Sequence, residues 1–383
     1  MTLKRFGHVY VLLALAAFGC TRTRAGNAGG MHRGNAQRTG VYDARPATAP
    51  VEALWRTAAD VDVSTRAVVA GGRLYFEGTK RVLHALDATT GANLWTFGTE
   101  RERGKFDFDS AEVPSVANGT LYWKTSDELV ALDPVTGQGR WHVAQAGLLA
   151  PAVADGVVFA GTGGQFTAVT AATGQEKWRF NTGRDSVVFS GPVVGDGSVC
   201  FGTIGEPPSL TCVNAATGQQ EWRSELAAKD GLPVALAVDG GTVFSVLLSG
   251  ATPQGTSMLK AFDARTGTAR WQADATLIEP VVANGCVYTA VADPQGGTKL
   301  AAIDARTGQD RWRNSLTGAL AQGNNLILSG GLLYLGGDKS LIAVDAATGQ
   351  EKWRFQVGEP AVPETIANNV IYFAGKGFLQ AVR

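Results

Sequence analysis

Short apolar-rich runs alternate with glycine-containing turns over most of the chain. Apolar and polar residues alternate within the runs, and the turns are Asn-Gly, Asp-Gly or Gly-Gly pairs, which together predict antiparallel strands joined in hairpins. The strands group into units of four, named A to D in chain order. Strand B of most units carries an aromatic residue at a fixed place: Tyr75, Tyr122, Phe159, Phe244, Tyr288 and Tyr334. These patterns predict an all-β protein made of repeated four-stranded antiparallel units.

Tryptophan repeats in step with these units. Seven units end with the phrase A-x-D-A-x-T-G-x-x-x-W, with small variations, and the Thr-Gly pair is the same in all of them. A period of about 40–45 residues built from short strands is the signature of a β-propeller, a ring of four-stranded blades. The tryptophans at the repeating step are Trp55, Trp95, Trp141, Trp178, Trp222, Trp271, Trp312 and Trp353.

The residue types of the phrase have physical roles around the turn between strands C and D. Glycine adopts positive φ there without strain, and the aspartate side chain can accept backbone N–H bonds across the turn. Thr170 and Asn214 replace the aspartate in two units and can also form hydrogen bonds. Tryptophan on strand D is large enough to fill the space between neighbouring blades. We therefore interpret the tryptophans as structural.

The two ends of the repeat region predict how the ring closes. The last unit runs through residues 371–373 to Arg383 and lacks strand D, whereas residues 51–55 read as a strand D with no unit before it. Pairing these fragments completes an eighth blade and removes an exposed strand edge. A seven-bladed ring would leave both fragments unpaired, so we expect an eight-bladed propeller over residues 51–383.

The first 50 residues differ from the repeat region. Residues 1–20 combine a basic start with an apolar run that is too short to span a bilayer, which predicts a secretory signal peptide. Their end, AFGC, resembles a bacterial lipobox, in which Cys20 is lipidated and becomes the mature N-terminus. The alternative is an ordinary cleaved signal with an incidental cysteine. Residues 21–50 are small, polar and basic, and predict a flexible tether.

The repeat phrase resembles that of the PQQ-like, tryptophan-docking propellers over about residues 51–383. Two branches of that superfamily are relevant: the quinoprotein dehydrogenases, and the BamB-like lipoproteins of the outer-membrane β-barrel assembly machinery. The lipobox-like end favours the second branch. By the resemblance to a lipobox, Thr21 rather than aspartate after Cys20 favours anchoring in the outer membrane. We expect the propeller to face the periplasm.

Composition and motifs bear on the choice between these branches. Lysine plus arginine equals aspartate plus glutamate, so the net charge gives no indication of a nucleic-acid partner. The dehydrogenases are usually much longer and carry an adjacent Cys-Cys pair, which this sequence lacks. Arg66, Glu279 and Glu364 are scattered charges expected at the axis, and His84 and His142 follow no metal-ligand spacing. We expect no catalytic residue, metal or cofactor, with PQQ and calcium only under the dehydrogenase alternative.

Two columns of the repeat change together in the fourth unit. Cys200 replaces the strand B aromatic and Cys212 replaces the strand C alanine, two positions that face each other in tight hairpins such as that of Phe159 and Ala168. Directly opposed residues on antiparallel strands have Cα atoms about 4.5–5.5 Å apart, which suits a disulfide, and a secreted protein meets an oxidising compartment. We predict this disulfide; the alternative is two core thiols. Cys286 is left over and is expected to be buried.

Loop lengths differ between the two faces of the predicted ring. The C–D turns are nearly identical, whereas the B–C loops of units four to six are longer and read IGEPPS, SGATPQGTS and DPQGGT. The longest D–A connection, TERERGKFDFDSAE, emerges on the same face as the B–C loops. Extra length on one face of a rigid scaffold is where binding residues concentrate. The candidate binding residues are Phe106, Asp107, Phe108, Asp109, Glu206, Pro207, Pro253, Gln254, Pro294 and Gln295.

Alternatives remain for part of this face. The segment around Phe106 and Phe108 can equally be a loop whose phenylalanines pack inward while its charges are solvated. Asp107 and Asp109 lack the glycine and the terminal glutamate of an EF-hand loop, so a calcium site there has little support.

The sequence thus predicts a non-enzymatic, lipid-anchored propeller that presents its loop-rich face to a protein partner of the cell envelope. The partner that the resemblance implies is the β-barrel assembly machinery, and the membrane is reached through the lipid anchor only. The alternative is a periplasmic oxidoreductase that depends on PQQ and calcium.

Overall fold

Alternating apolar residues form eight antiparallel sheets, in each of which four strands lie side by side. The computed structural model describes residues 31–38, 40–42, 52–59, 61, 66–78, 80–98, 113–125, 127–144, 149–183, 185–227, 229–249, 256–276, 278–293, 298–315, 320 and 325–383. The prediction of an eight-bladed, all-β propeller is confirmed. The predicted signal peptide and the predicted lipidation site, Cys20, lie outside the described residues.

The strands of each blade are given in the order A to D. Blade 1 contains Ala67–Ala70, Arg73–Glu77, Leu83–Asp87 and Asn93–Phe97, and blade 2 contains Ser115–Ala117, Thr120–Lys124, Glu128–Leu132 and Gly139–Ala144. Blade 3 contains Ala152–Ala154, Val157–Thr162, Gln165–Thr170 and Glu176–Asn181, and blade 4 contains Val193–Gly195, Ser198–Ile204, Ser209–Asn214 and Gln220–Glu225. Blade 5 contains Leu232–Asp239, Thr242–Ser249, Thr256–Asp263 and Ala269–Ala275, and blade 6 contains Val281–Ala283, Cys286–Ala292, Thr298–Asp304 and Asp310–Ser315. Blade 7 contains Ile327–Ser329, Leu332–Gly336, Ser340–Asp345 and Glu351–Gln356, and blade 8 contains Ala361–Ala367, Val370–Gly375, Phe378–Val382 and, from the other end of the chain, Ala53–Ala58.

Blade 8 closes the ring by pairing the two ends of the repeat region. Ala53 lies opposite Val382 and Ala58 lies opposite Phe378 in an antiparallel ladder. The predicted closure is therefore confirmed. Since this pairing gives the C-terminal strand a neighbour on its outer side, the last blade has the same four-stranded form as the others.

Burial follows position within the blade. Strands B and C are almost wholly buried because neighbouring blades cover both of their faces, whereas strands D alternate between exposed and half-buried residues at the rim. The A strands of most successive blades contact one another and surround the axis. We call the end of the ring with the A–B and C–D turns the turn face, and the opposite end the loop face.

Part of the segment predicted to be a flexible tether is packed inside the ring. Residues His32–Gly34 form a 3₁₀ turn, and Val41–Tyr42 form a short strand parallel to strand A of blade 7. Arg33 and Tyr42 are buried. The tether prediction is therefore wrong for residues 31–38 and 40–42, because composition cannot reveal that arginine side chains find acceptors inside the ring. Within the described part of the chain, helices suited to crossing a membrane are absent.

Candidate functional site

The tryptophans of strand D hold neighbouring blades together. Trp271 of blade 5 donates its Nε1–H to the carbonyl of Ala305 in blade 6 at 3.0 Å. Its ring covers Gly308, the glycine of the Thr-Gly pair of blade 6, where a Cβ would lie 2.7 Å from the ring. The same contact with the next blade is made by Trp55, Trp95, Trp141, Trp178, Trp222 and Trp312. These indoles therefore have a structural role: each one joins its own blade to the next.

The C–D turns form a uniform turn face. In blade 5, Asp263 Oδ1 accepts hydrogen bonds from the backbone N–H of Arg265 and Thr266 and from the Thr266 hydroxyl, while Oδ2 pairs with Arg270. These bonds, that of Arg270 first, hold the pKa of the Asp263 carboxyl well below its usual range. Repetition of one turn geometry around the ring leaves little on this face that could specify a particular partner.

Blade 4 departs from the other blades at its B–C hairpin. Cys200 and Cys212 lie directly opposite each other and form a disulfide, with their Cα atoms 4.1 Å apart. In blade 3 the corresponding aromatic, Phe159, lies 5.9 Å from Trp178, ring centre to ring centre. Blade 4 therefore replaces an aromatic contact with a covalent bond beside Trp222, which pairs with Cys212.

The loop-face end of this hairpin carries an exposed apolar residue. A short strand, Val187–Val188, precedes strand A of blade 4 and pairs with the far end of strand B, where Val187 lies opposite Ile204. The Val187 residue is 42% exposed. Glu206 and Pro207 lie in the adjoining turn and are exposed as well. An apolar residue bordered by a carboxylate and a proline thus lies on the loop face.

The hairpins of blades 5 and 6 extend beyond those of blades 1 and 2. Strands B and C are eight residues each in blade 5 and seven in blade 6, against five in blades 1 and 2. Lys260 pairs with Asp230 at 3.1 Å, and Lys299 pairs with Asp293 at 3.2 Å. The inserts noted in the sequence therefore lengthen ladders on the loop face. Other candidate residues lie outside the described residues: Phe106, Asp107, Phe108, Asp109, Pro253, Gln254, Pro294 and Gln295.

The charged residues expected at the axis form ion pairs. Arg66 lies 3.8 Å from Glu364, and Arg33 lies 3.3 Å from Glu279. A calcium ion with a quinone would need carboxylates free to ligate the metal, whereas both of these carboxylates have a guanidinium partner. In the described ranges, no three His, Cys, Asp or Glu side chains gather as metal ligands would. The described residues at the axis therefore do not gather a ligand set for calcium with PQQ.

A cleft of about 790 Å³ lies between blades 6 and 7, beside the Trp312 contact. Cys286 is unpaired and buried at its wall. Burial, and then the nearby Cys286, raise the pKa of the Tyr288 hydroxyl. The charged residues of the lining are Arg311, Asp345 and Lys352. Sequence reasoning missed this cleft because its walls come from two blades that no local motif connects.

Solved structures resemble this fold at low sequence identity. BamB from Moraxella catarrhalis is 18% identical with a TM-score of 0.62, over 88% of this chain and 98% of that chain. Quinohemoprotein alcohol dehydrogenase from Comamonas testosteroni is 15% identical with a TM-score of 0.67, over 94% of this chain and 81% of that chain. The computationally designed Ika8 protein is 17% identical with a TM-score of 0.65, over 86% and 99%. At these identities the likeness shows the fold alone.

The fold and the interblade contacts define the class of protein: an eight-bladed propeller whose blades are joined by tryptophan docking. Residues 47–147 and 255–380, more than half of the chain, match the family described as outer membrane protein assembly factor BamB. The chain belongs to this family. No curated protein matches the sequence.

Proposed function

We propose that this chain is a non-catalytic propeller scaffold of the cell envelope that binds a protein partner in outer-membrane protein assembly. Membership of the BamB family is the observation that carries the proposal. The contrast between a uniform turn face and an uneven loop face supports it, since a scaffold needs a distinctive surface only where its partner binds. The loop face of blades 4–6, with Val187 and Glu206, is the surface we assign to that partner.

The proposed location follows from the N-terminal residues. A signal directs the chain across the inner membrane, and lipidation of Cys20 anchors it in the outer membrane with the propeller in the periplasm. Replacing Cys20 with serine is expected to abolish incorporation of a labelled fatty acid and to move the protein from the membrane to the soluble fraction. If Cys20→Ser remained labelled and membrane-bound, the lipid anchor would have to lie elsewhere.

A matched pair of valine substitutions tests the assigned face. Val187 on the loop face and Val135 in a C–D turn of blade 2 are both exposed, at 42% and 55%. Val187→Asp places a charge in the assigned contact and is expected to lower recovery of the partner from detergent-extracted membranes at least tenfold. Val135→Asp makes the same chemical change on the opposite face and is expected to leave recovery unchanged. Loss of recovery with Val135→Asp alone would place the partner on the turn face.

One observation supports the dehydrogenase alternative: this chain shares its fold with a quinohemoprotein alcohol dehydrogenase. The paired carboxylates at the axis argue against it. Titration of the purified protein with PQQ and calcium separates the two functions. We expect no saturable binding and no dye-linked alcohol or sugar oxidation. Saturable binding of PQQ with turnover would show that the protein is an oxidoreductase and not a scaffold.

A further inference from the structure

Residues 31–38 and 40–42, the axial segment, bond to the innermost strands of several blades through main-chain atoms. The carbonyls of Ala36, Gln37 and Gly40 accept the N–H groups of Val194 at 2.9 Å, Val238 at 3.0 Å and Leu328 at 2.9 Å. These donors belong to the A strands of blades 4, 5 and 7, whose free edges surround the axis. Because the acceptors are main-chain carbonyls, a second peptide of the same conformation could offer them to these edges.

Arg33 enters a cavity built from blades 6 and 7. Its Nη1 donates to Asn325 Oδ1 at 2.8 Å and to the Leu326 carbonyl at 2.9 Å, and its Nη2 donates to the Pro280 carbonyl. Glu279 lies 3.3 Å from its Nε. The residue is 1% exposed. Burial lowers the pKa of the guanidinium and Glu279 opposes that shift. This set of acceptors on three sides matches the planar, five-donor shape of a guanidinium.

Arg38 occupies a second pocket, between blades 3 and 4. Its Nη2 donates to the Ala150 carbonyl at 2.8 Å. Its guanidinium packs against Gly191, where the nearest atoms to an added Cβ would all belong to Arg38. Gly191 is therefore the floor of this pocket, and an alanine there would overlap the guanidinium.

The glycines of the segment make the fit between these pockets possible. Gly34 and Gly40 have φ values of 84° and 72°, where other residues are strained. An added Cβ at Gly40 would overlap the Arg33 guanidinium, and one at Gly34 would overlap the Val41 carbonyl. The axial segment therefore has the sequence pattern Arg-Gly, followed after three residues by Arg-x-Gly.

We propose that the space around the axis between the A strands, the axial channel, is a binding site for a turn-forming peptide with this Arg-Gly pattern, and that the chain fills it with its own residues 31–42. Main-chain bonds hold the backbone and the two pockets select the arginines. The segment is an intramolecular ligand that a competing peptide has to displace, and its covalent connection gives it an effective concentration of the order of millimolar. The inference does not rest on the proposed partner of the loop face.

Trypsin cleavage of the native full-length chain tests whether Gly191 controls the second pocket. We expect slow cleavage after Arg38 in the wild type and at least tenfold faster cleavage in Gly191→Ala, measured by mass spectrometry of the released ends. Gly139→Ala is the control, because an added Cβ at Gly139 would meet nothing within 4 Å. Equal cleavage rates after Arg38 in the wild type and Gly191→Ala would overturn the proposed pocket.

A synthetic, fluorescent peptide with the sequence of residues 31–42 tests the site itself. The full-length Arg33→Ala/Arg38→Ala variant weakens the internal ligand and leaves the pockets intact, so we expect it to bind the peptide at least tenfold more tightly than the wild type. Lysine in place of both peptide arginines should weaken binding at least tenfold, because lysine keeps the charge without the planar donors. Adding Gly191→Ala to the protein variant should likewise weaken binding of the peptide at least tenfold.

Two results would overturn the proposal: no saturable binding to a variant that keeps the wild-type unfolding temperature, or binding that is indifferent to the peptide arginines. If the double variant does not fold, Arg38→Ala alone is used, since Arg33 then still supports the fold while the segment competes less strongly with the peptide. The same readouts and the same two negative results apply to it.

Discussion

Replacing Cys200 with alanine together with Cys212 is expected to lower the free energy of unfolding by about 3 kcal/mol. The disulfide closes a loop with a sequence separation of 12, and cross-links of that length stabilise mainly by restricting the unfolded chain. Both residues are buried, at 4% and 0% exposure, so the substitution also removes packing beside Trp222. The loss is measured as a shift in the urea midpoint of tryptophan fluorescence.

Two controls separate the covalent bond from local packing. A reductant should bring the wild-type midpoint close to that of the double alanine variant and leave the variant itself unchanged. Cys200→Phe with Cys212→Ala rebuilds the pair that blade 3 has in Phe159 and Ala168, whose phenylalanine lies 5.9 Å from Trp178. We expect this variant to recover part of the loss. A wild-type midpoint indifferent to reductant would show that the bond adds no stability.

Gly308→Ala is expected to destabilise the ring more than Gly331→Ala, by about 1–3 kcal/mol, the usual cost of overpacking a dense contact. Both glycines have positive φ, 74° and 82°, so both substitutions carry a similar backbone strain of about 1–2 kcal/mol. At Gly308 the new Cβ would also lie 2.7 Å from the ring of Trp271, whereas at Gly331 it would meet nothing within 4 Å.

Thermal and urea unfolding of the two variants measure this difference. Because Trp271 docks on blade 6 through Gly308 and through the Ala305 carbonyl, the extra Cβ pushes the indole away from its hydrogen-bond acceptor. A blue or red shift of tryptophan emission in Gly308→Ala alone would accompany the loss. Equal destabilisation by both substitutions would mean that the glycine is needed only for its φ and that the indole contact is dispensable.

The fold could be predicted from the sequence because the repeat presents the pattern of one blade several times. The Thr-Gly turn and the strand D tryptophan recur, so errors in any single blade do not alter the period. The unpaired ends of the repeat region then determine closure, since Ala53–Ala58 is the strand that the last blade lacks. The blade 4 cysteines were recognisable for the same reason: both depart from a column that the other blades define.

The candidate site could be predicted only in part. Unequal hairpin lengths identified the loop face of blades 4–6, including Glu206 and Pro207. Val187 was missed because a two-residue strand in a D–A connection has no recurring pattern. The axial segment is predicted wrongly from its composition, since small, polar and basic residues are typical of a tether and nothing local reveals the acceptors of Arg33 and Arg38.

By itself the sequence determined the blade, its repeat and the way the ring closes, because these depend on contacts within one unit and between like units. Tertiary structure alone decided what lies at the axis. The acceptors of Arg33 are Pro280, Asn325 and Leu326, some 250 to 290 residues away along the chain, and they meet only when the ring is closed. A guanidinium is normally best solvated by water, and only an enclosed set of carbonyls and a carboxylate replaces that water.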